Sequence, residues 1–497
     1  MKKIVKENMF VIFIAFFYFI IGALIPLSGD DWTWAGQTGL DRLSIWFDNY
    51  NGRYLGNIIE MLITRFWIIR VIFYTIINTG IFVLIKKIIG EKSFLFNACI
   101  MALILAMPID IYRQTYGWFA GFSNYNVSIF STLLTIVILK KYTNNKVQPL
   151  MQMLFFCLFF LQQLIVEHMT LYNVLLAGFV VVYTLIKKEK VSLLKYNLLV
   201  ASILGAATMF SNSVYLSIIN HTDSYRTIGT TNETLFSKVY HTITQNWMNL
   251  VITNNWLINI ILSILVTITI LKYTKKYTEK KYLIFIPSFL FVFSFWSFFK
   301  SVGRINSEFF GKYFLLLESI AAIMFMLLIA IAIFICIEKK ETKIELLFYG
   351  FSAIICVLPF LILEPLGPRC ILSSYIYYIL LSGKLASYNT LSLKIEGRFS
   401  PALMYGLKLA LSAVILTLFL GYSIISYKNL RVSLTRVQDA EYSASNDTLV
   451  IKRLPFEQYT QHGSPFPNSV QENTFKQQFN IPKERKIIFV NYTNKVY

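Results

Sequence analysis

FVIFIAFFYFIIGALIPLSGDDW, residues 10–32, decides how the rest of the chain is read. From Phe10 to Leu27 the run is apolar on every side, about the length a helix needs to cross bilayer hydrocarbon, and it ends on Gly29 and two adjacent carboxylates, Asp30 and Asp31. Acids that close to lipid are costly unless they cap a helix or do chemistry. The basic MKKIVKEN before the run has the look of a signal peptide. Its apolar core is long enough to span, so it is expected to stay as an uncleaved first helix.

Working outward, the totals agree. Of the 497 residues 56% are hydrophobic and 14% charged, against about a quarter charged in soluble globules, and the mean hydropathy is +0.58. This is the composition of a polytopic membrane protein. The formal charge of +20 would suit a nucleic-acid binder if its lysines formed one patch, but they fall in short clusters between apolar runs, as orientation signals do. No nucleic-acid partner is expected. The cysteines (Cys99, Cys157, Cys336, Cys356, Cys370) show no CxxC and no HExxH accompanies the four histidines, which removes disulfide scaffolds, thiolate metal sites and zincin proteases.

Counting apolar runs gives an all-α membrane domain of about thirteen transmembrane helices over residues 1–426, with a first outer loop at 28–59. The run at 60–85 is too long for lipid alone. Its start, carrying Glu60, Arg65 and Arg70, is expected to rise above the membrane as an amphipathic extension of the loop. The lysine clusters (Lys2, Lys3 and Lys6; Lys86, Lys87 and Lys92; Lys187, Lys188 and Lys190, and on to Lys339 and Lys340) all fall on one side of this count. That places the N-terminus in the cytoplasm and the C-terminus outside. On the opposite side the basic residues are mainly arginine: Arg42, Arg53, Arg113, Arg226, Arg304 and Arg369. Orientation is served by either cation, whereas the planar fork that grips phosphate belongs to arginine alone. From about Ser426 the chain turns polar, and residues 427–497 read as a small outer α/β domain with strands in DTLVIKRL and KIIFVNY. About seventy residues is little for an independent fold, so it is expected to lean on the outer loops.

Several side chains carry the chemistry. Asp30 or Asp31 is a candidate general base for a hydroxyl, its neighbour orienting the acceptor or repelling the base's charge; the same pair also fits a helix start. Glu167 and His168, at a turn between two apolar runs, suit a sugar hydroxyl or simply each other. Arg369 follows the rigid EPLGP turn and is a candidate for phosphate, as are Arg226 and Arg304, for which a solvated surface role is the alternative. Trp32, Arg53, Tyr54, Asn124 and Tyr125 are candidate sugar contacts through stacking and hydrogen bonding.

SGDDW at 28–32, the amphipathic stretch through NGRYLGN at 51–57, the many spans and the outer tail together resemble the GT-C superfamily of membrane glycosyltransferases. The likeness is greatest to bacterial multi-spanning members without assigned activity. A WWDYG-type signature is absent, which argues against peptide glycosylation. The resemblance implies a transferase that takes a sugar from a polyprenyl-phosphate carrier and passes it to a hydroxyl of a cell-envelope glycan at the outer face of the plasma membrane. It implies an inverting single displacement, with Asp31 or Asp30 as base and Arg369, aided by Arg226 or Arg304, on the phosphate. A divalent cation, magnesium or manganese, between Asp30, Asp31 and the lipid phosphate is compatible but not required. A polysaccharide polymerase or ligase, a flippase for a lipid-linked sugar, and a purely structural assembly partner are the rival readings.

Overall fold

The computed structural model describes residues 2–142, 147–223, 234–303, 305, 307–393, 400–442 and 448–492. In chain order its principal helices are α1 (Lys2–Leu24), α2 (Asp30–Ala35), α3 (Gln37–Ser44), α4 (Tyr54–Arg65), α5 (Trp67–Ile89), α6 (Phe94–Leu105) and α7 (Ile109–Thr115). Next come α8 (Phe119–Lys141), α9 (Pro149–Leu161), α10 (Glu167–Ile186), α11 (Leu193–Phe210), α12 (Ser213–Ile219) and α13 (Leu235–Thr242). The series closes with α14 (Trp256–Lys276), α15 (Phe285–Gly303), α16 (Lys312–Cys336), α17 (Lys340–Ile355), α18 (Leu372–Leu393), α19 (Pro401–Thr435) and α20 (Val470–Gln478). Three strands lie in the tail: β1 (Glu441–Tyr442), β2 (Thr448–Lys452) and β3 (Lys486–Val490).

Ten helices among the described residues are long and apolar enough to cross a membrane, and α6 with α7 adds one if counted as a single broken span. Met9–Leu24 and Pro149–Leu164 are apolar but shorter. Large side chains such as Phe16, Ile68, Ile72, Leu175, Val182 and Phe334 stand exposed along these helices. That much apolar surface is tolerable in lipid and not in water. The protein is therefore an all-α polytopic membrane protein with a small sheet in its tail. The long apolar run at 60–85 is divided at Phe66, whose extended backbone ends α4 before α5 begins, so Glu60 and Arg65 sit on a separate short helix. The change to polar composition near Ser426 falls inside α19, which continues to Thr435.

The chain forms two compact units. The first comprises residues 1–84, 109–216 and 416–497. Its spans are joined by side-chain amides and hydroxyls rather than by the hydrophobic effect, which gives helices little reason to associate within lipid. Asn126 donates to Asn78 at 3.0 Å, Thr132 to Asn173 at 3.0 Å, Thr135 to Gln162 at 3.0 Å, and Gln163 to Ser202 at 3.2 Å. The tail belongs to this unit. β2 pairs antiparallel with β1 and parallel with β3, and α20 lies in the β2–β3 crossover. Alternate residues of β2 point inward, so Leu449 and Ile451 form a core with Phe475, Ile481 and Ile487.

The second unit comprises residues 85–108 and 217–415. Asn259 donates to Ser297 at 3.0 Å, and Ser263 and Ser294 share a 2.8 Å hydrogen bond. Lys300 reaches both oxygens of Glu318 at 2.7 and 2.8 Å, and Trp296 Nε1 donates to the same carboxylate at 3.0 Å. Beside α16 and α17 the unit holds an apolar cleft of about 360 Å³, lined among others by Trp247, Met248, Ile323, Leu346, Phe351 and Leu361.

Candidate functional site

Five short elements of the first unit meet where its spans end: α2, α3, α4, the first turns of α8 and the start of α10. Gly29 makes the bend into α2 with φ 55°, in the left-handed region that side chains avoid. The bend turns the two carboxylates in different directions. Asp31 is fully buried. Its Oδ2 accepts from the Ser28 N–H at 3.0 Å, its Oδ1 from the Ala120 N–H at 2.8 Å, and Oδ2 also lies 3.5 Å from the Phe119 N–H. These last two amides open α8 and have no partner inside that helix, so Asp31 caps a neighbour's helix rather than its own. Burial pushes its carboxyl up to about 7, opposed by those amides and by the charge of Arg70. Expected as a base, Asp31 has its oxygens occupied and no access for a hydroxyl. The carboxylate left for that role is Asp30, which is half-buried and whose Oδ1 accepts from Gln471 Nε2 at 3.4 Å.

A third acid was not singled out as a site residue. Glu60 is 2% exposed, its Oε2 lies 3.5 Å from Ser123 Oγ, and its Oε1 has no hydrogen bond. Ser123 owns one proton and directs it at the Ala120 carbonyl at 3.0 Å. A buried ionised Glu60 would thus be almost undonated, which is costly. Burial, then the charges of Asp31 and Asp30, raise its carboxyl well above the usual range. The carboxyls are therefore split: Asp30 is half-exposed, whereas Glu60 is buried and its charged form disfavoured.

The expected sugar contacts fare differently. Arg53 Nε donates to both oxygens of Glu167 at 3.0 and 2.8 Å, and Tyr215 Oη donates to Glu167 at 2.9 Å. Arg53 and Glu167 neutralise each other while keeping partial exposure. His168 is buried, its ring 5.7 Å from that of Tyr125. Asn124 and Tyr125 lie inside a π-helical segment, Phe122–Asn126, of α8, a distortion that recurs at functional sites. Asn124 Nδ2 donates to the Ala120 carbonyl at 2.7 Å, and its Oδ1 abuts Gly56, where an added Cβ would come within 2.7 Å. Trp32 is a correction: at 2% exposure it belongs to the tail's core, edge-on to Phe475 at 5.0 Å, and offers no face to a ligand. In the same loop Trp46 is exposed, 60% accessible and stacked on Tyr54 at 18°. Trp46, Phe47 and Asn49 all hold positive φ (53°, 59° and 55°), conformations that cost about 1–3 kcal/mol each. Asn212, unremarked in the sequence, holds that turn by donating to the carbonyls of Phe47 and Asn51 at 3.0 and 3.2 Å.

Of the expected phosphate ligands, Arg369 lies in the second unit, in the single turn Pro368–Ile371 that leads into α18. Arg226 and Arg304 lie outside the described residues. The arginines the first unit gathers are structural in part: Arg42 stands 3.9 Å over the Tyr50 ring and 5.0 Å over Trp34, and Arg70 donates to the Ile63 and Thr64 carbonyls at 2.8 and 3.2 Å. With Asp31 saturated by amides, Asp30 and Asp31 do not fit as a joint metal-ligand pair. No group of three or more His, Cys, Asp or Glu among the described residues is arranged to hold a metal ion.

No family model matches this chain, and neither does any curated protein or solved structure.

Proposed function

We propose that the protein is a GT-C-like glycosyltransferase that moves a sugar from a polyprenyl-phosphate carrier to a hydroxyl of a cell-envelope glycan. The observation that carries this reading is the split of the acids: a half-exposed Asp30 beside a buried Asp31, with a buried Glu60 in the same unit. A carboxylate open to solvent can meet a hydroxyl that a buried one cannot. Asp30 takes the proton of the acceptor hydroxyl as that oxygen forms its bond to the anomeric carbon. The bond from that carbon to the carrier phosphate breaks, inverting the centre. The phosphate is already a good leaving group, so a cation beside it is the only further help the departing charge needs. Trp46 over Tyr54 supplies a flat apolar face for a sugar ring.

The placement belongs to the same proposal. About thirteen spans in a plasma membrane, lysine clusters on the cytoplasmic side and the tail outside put Asp30 where lipid-linked sugars are displayed. Single cysteines introduced at residues 41 and 189 of a cysteine-free variant are expected to react with an impermeant thiol reagent outside and inside, respectively.

Asp30→Asn, expressed at wild-type level, is expected to abolish one sugar component of the purified envelope glycan. An unchanged composition in that variant would remove the base and with it the reading. A flippase would instead leave the composition of the lipid-linked pool intact and change its sidedness.

A further inference from the structure

Of the two adjacent acids after the first helix, Asp31 is held by backbone amides, whereas Asp30 is reached by a side chain of the tail. α20 lies against α2, and Gln471 Nε2 points at Asp30 Oδ1 from 3.4 Å. We propose that the C-terminal segment completes the acidic site, with Gln471 the positioning residue that orients Asp30 toward the acceptor hydroxyl. This rests on the reading of Asp30 as a base.

Both partners are held from behind. On the α2 side, Asp31 is fastened to the first amides of α8 and Trp32 is sunk into the tail's core. The intervening peptide has little freedom, so the Asp30 carboxylate emerges at a fixed place. On the α20 side, Ser469 caps the helix by accepting from the Glu472 N–H at 3.1 Å, and Glu472 pairs with Lys476 at 2.8 Å with both nearly buried. Phe475 is clasped between Trp32 and the Arg436 guanidinium, which stands 4.9 Å over its ring and donates to the Gly463 carbonyl at 2.8 Å.

A second contact, independent of Gln471, sets the same seat. Gly29, immediately before Asp30, has φ 55°, and a Cβ placed on it would lie 3.1 Å from the Gln461 carbonyl oxygen and 3.3 Å from His462 Cβ. His462 is itself left-handed at φ 50°. Two backbone conformations that side chains disfavour are pressed together one residue from the acid. Strain retained at such a point is found where geometry matters to function.

Packing alone does not call for Gln471. The Trp32–Phe475 contact supplies the apolar burial that joins tail to loop. The amide adds a hydrogen bond to a half-exposed carboxylate, where water would serve as well for stability. What it adds is direction: with Oδ1 held, Oδ2 is the oxygen presented to an incoming hydroxyl. An acceptor glycan then approaches along the seam between α2 and α20, so the tail bears on which acceptor is used.

The test uses the full chain in native membranes with Gln471→Ala, Gln471→Glu and Gln471→Lys at matched expression. Two readouts are taken: labelling of Asp30 by a water-soluble carbodiimide with glycine ethyl ester at near-neutral pH, and the sugar composition of the envelope glycan. Carbodiimide adds to a carboxyl oxygen that is not held by a donor, so labelling is expected to rise several-fold in Gln471→Ala and at least as much in Gln471→Glu, neither of which donates to Oδ1. Gln471→Lys, which keeps a donor, stays near wild type. Product is expected to fall in step with the labelling, by roughly tenfold for Gln471→Ala, the scale of one hydrogen bond to a charged group. A role confined to folding would not sort these variants by the charge and donor at position 471. Wild-type labelling and wild-type product in both Gln471→Ala and Gln471→Glu would overturn the inference. Labelling that follows the expected order while Asp30→Asn leaves the glycan unchanged would sink the transferase reading and leave the positioning contact standing.

Discussion

Asp30 and Asp31 are identical side chains one residue apart, yet what surrounds each decides its use. Asp31→Asn keeps one acceptor oxygen but turns an NH2 toward backbone donors, so it is expected to lower the yield of folded protein, at a cost of about 2–3 kcal/mol for a buried charged acceptor. Asp30→Asn is expected to leave yield and thermal midpoint unchanged while product is lost, which separates capping from chemistry in a single expression and glycan assay. Buried acids also make a prediction in pH. Asp31 is raised to about 7 and Glu60 well above its ordinary value, whereas the unfolded chain releases these protons near pH 4. The stabilisation is fully present below the unfolded values and is lost as pH rises through the folded ones. The thermal midpoint of the detergent-solubilised protein is therefore expected to fall between about pH 4.5 and 7. Glu60→Gln, which mimics the neutral acid, should flatten the slope, and a midpoint that rises across that window would contradict the assignment.

Among the elements, the turn at 45–51 and the buried ion pair of the second unit are the most exposed to test. The turn keeps three left-handed residues in place largely through Asn212, whose amide serves two carbonyls. Asn212→Ala is expected to cost about 1–2 kcal/mol locally. It should accelerate hydrogen exchange of the amides of residues 46–51 without altering that of α8. If Trp46 is the sugar platform, Trp46→Ala lowers product while Trp46→Phe retains most of it. Lys300 and Glu318 are each less than a tenth exposed and neutralise one another between α15 and α16. Breaking such a pair from one side leaves a buried charge, so Glu318→Ala is expected to destabilise by about 3–5 kcal/mol, whereas Lys300→Met with Glu318→Leu together should recover most of the loss. Thermal unfolding of the two variants distinguishes these outcomes.

At the scale of the whole molecule, much was legible in the chain. Apolar runs of membrane-crossing length are a local property, because every backbone group in lipid must be satisfied within its own helix, and composition therefore announced a polytopic α-helical protein. Alternation in TLVIK and KIIFV announced strands for the same local reason, and both are strands. The excess length of the run at 60–85 foretold a separate start, which is α4 for Glu60 and Arg65, whereas Arg70, expected with them, lies on the long apolar α5. What a chain pattern does not hold is the partner. Asp31 finds amides 88 and 89 residues away, Arg53 finds Glu167, Asn212 finds the Phe47 carbonyl, and Trp32 exchanges a place at the surface for a core built by residues 449–487. Each such meeting is set by how helices and loops pack after they form. Sequence by itself determined where the membrane helices run and that acids follow the first of them, because hydropathy and helix length act over a few turns. Tertiary structure alone decided which acid is spent on a helix end, which is kept neutral and which faces solvent, because burial and hydrogen-bond partners come from segments distant in the chain.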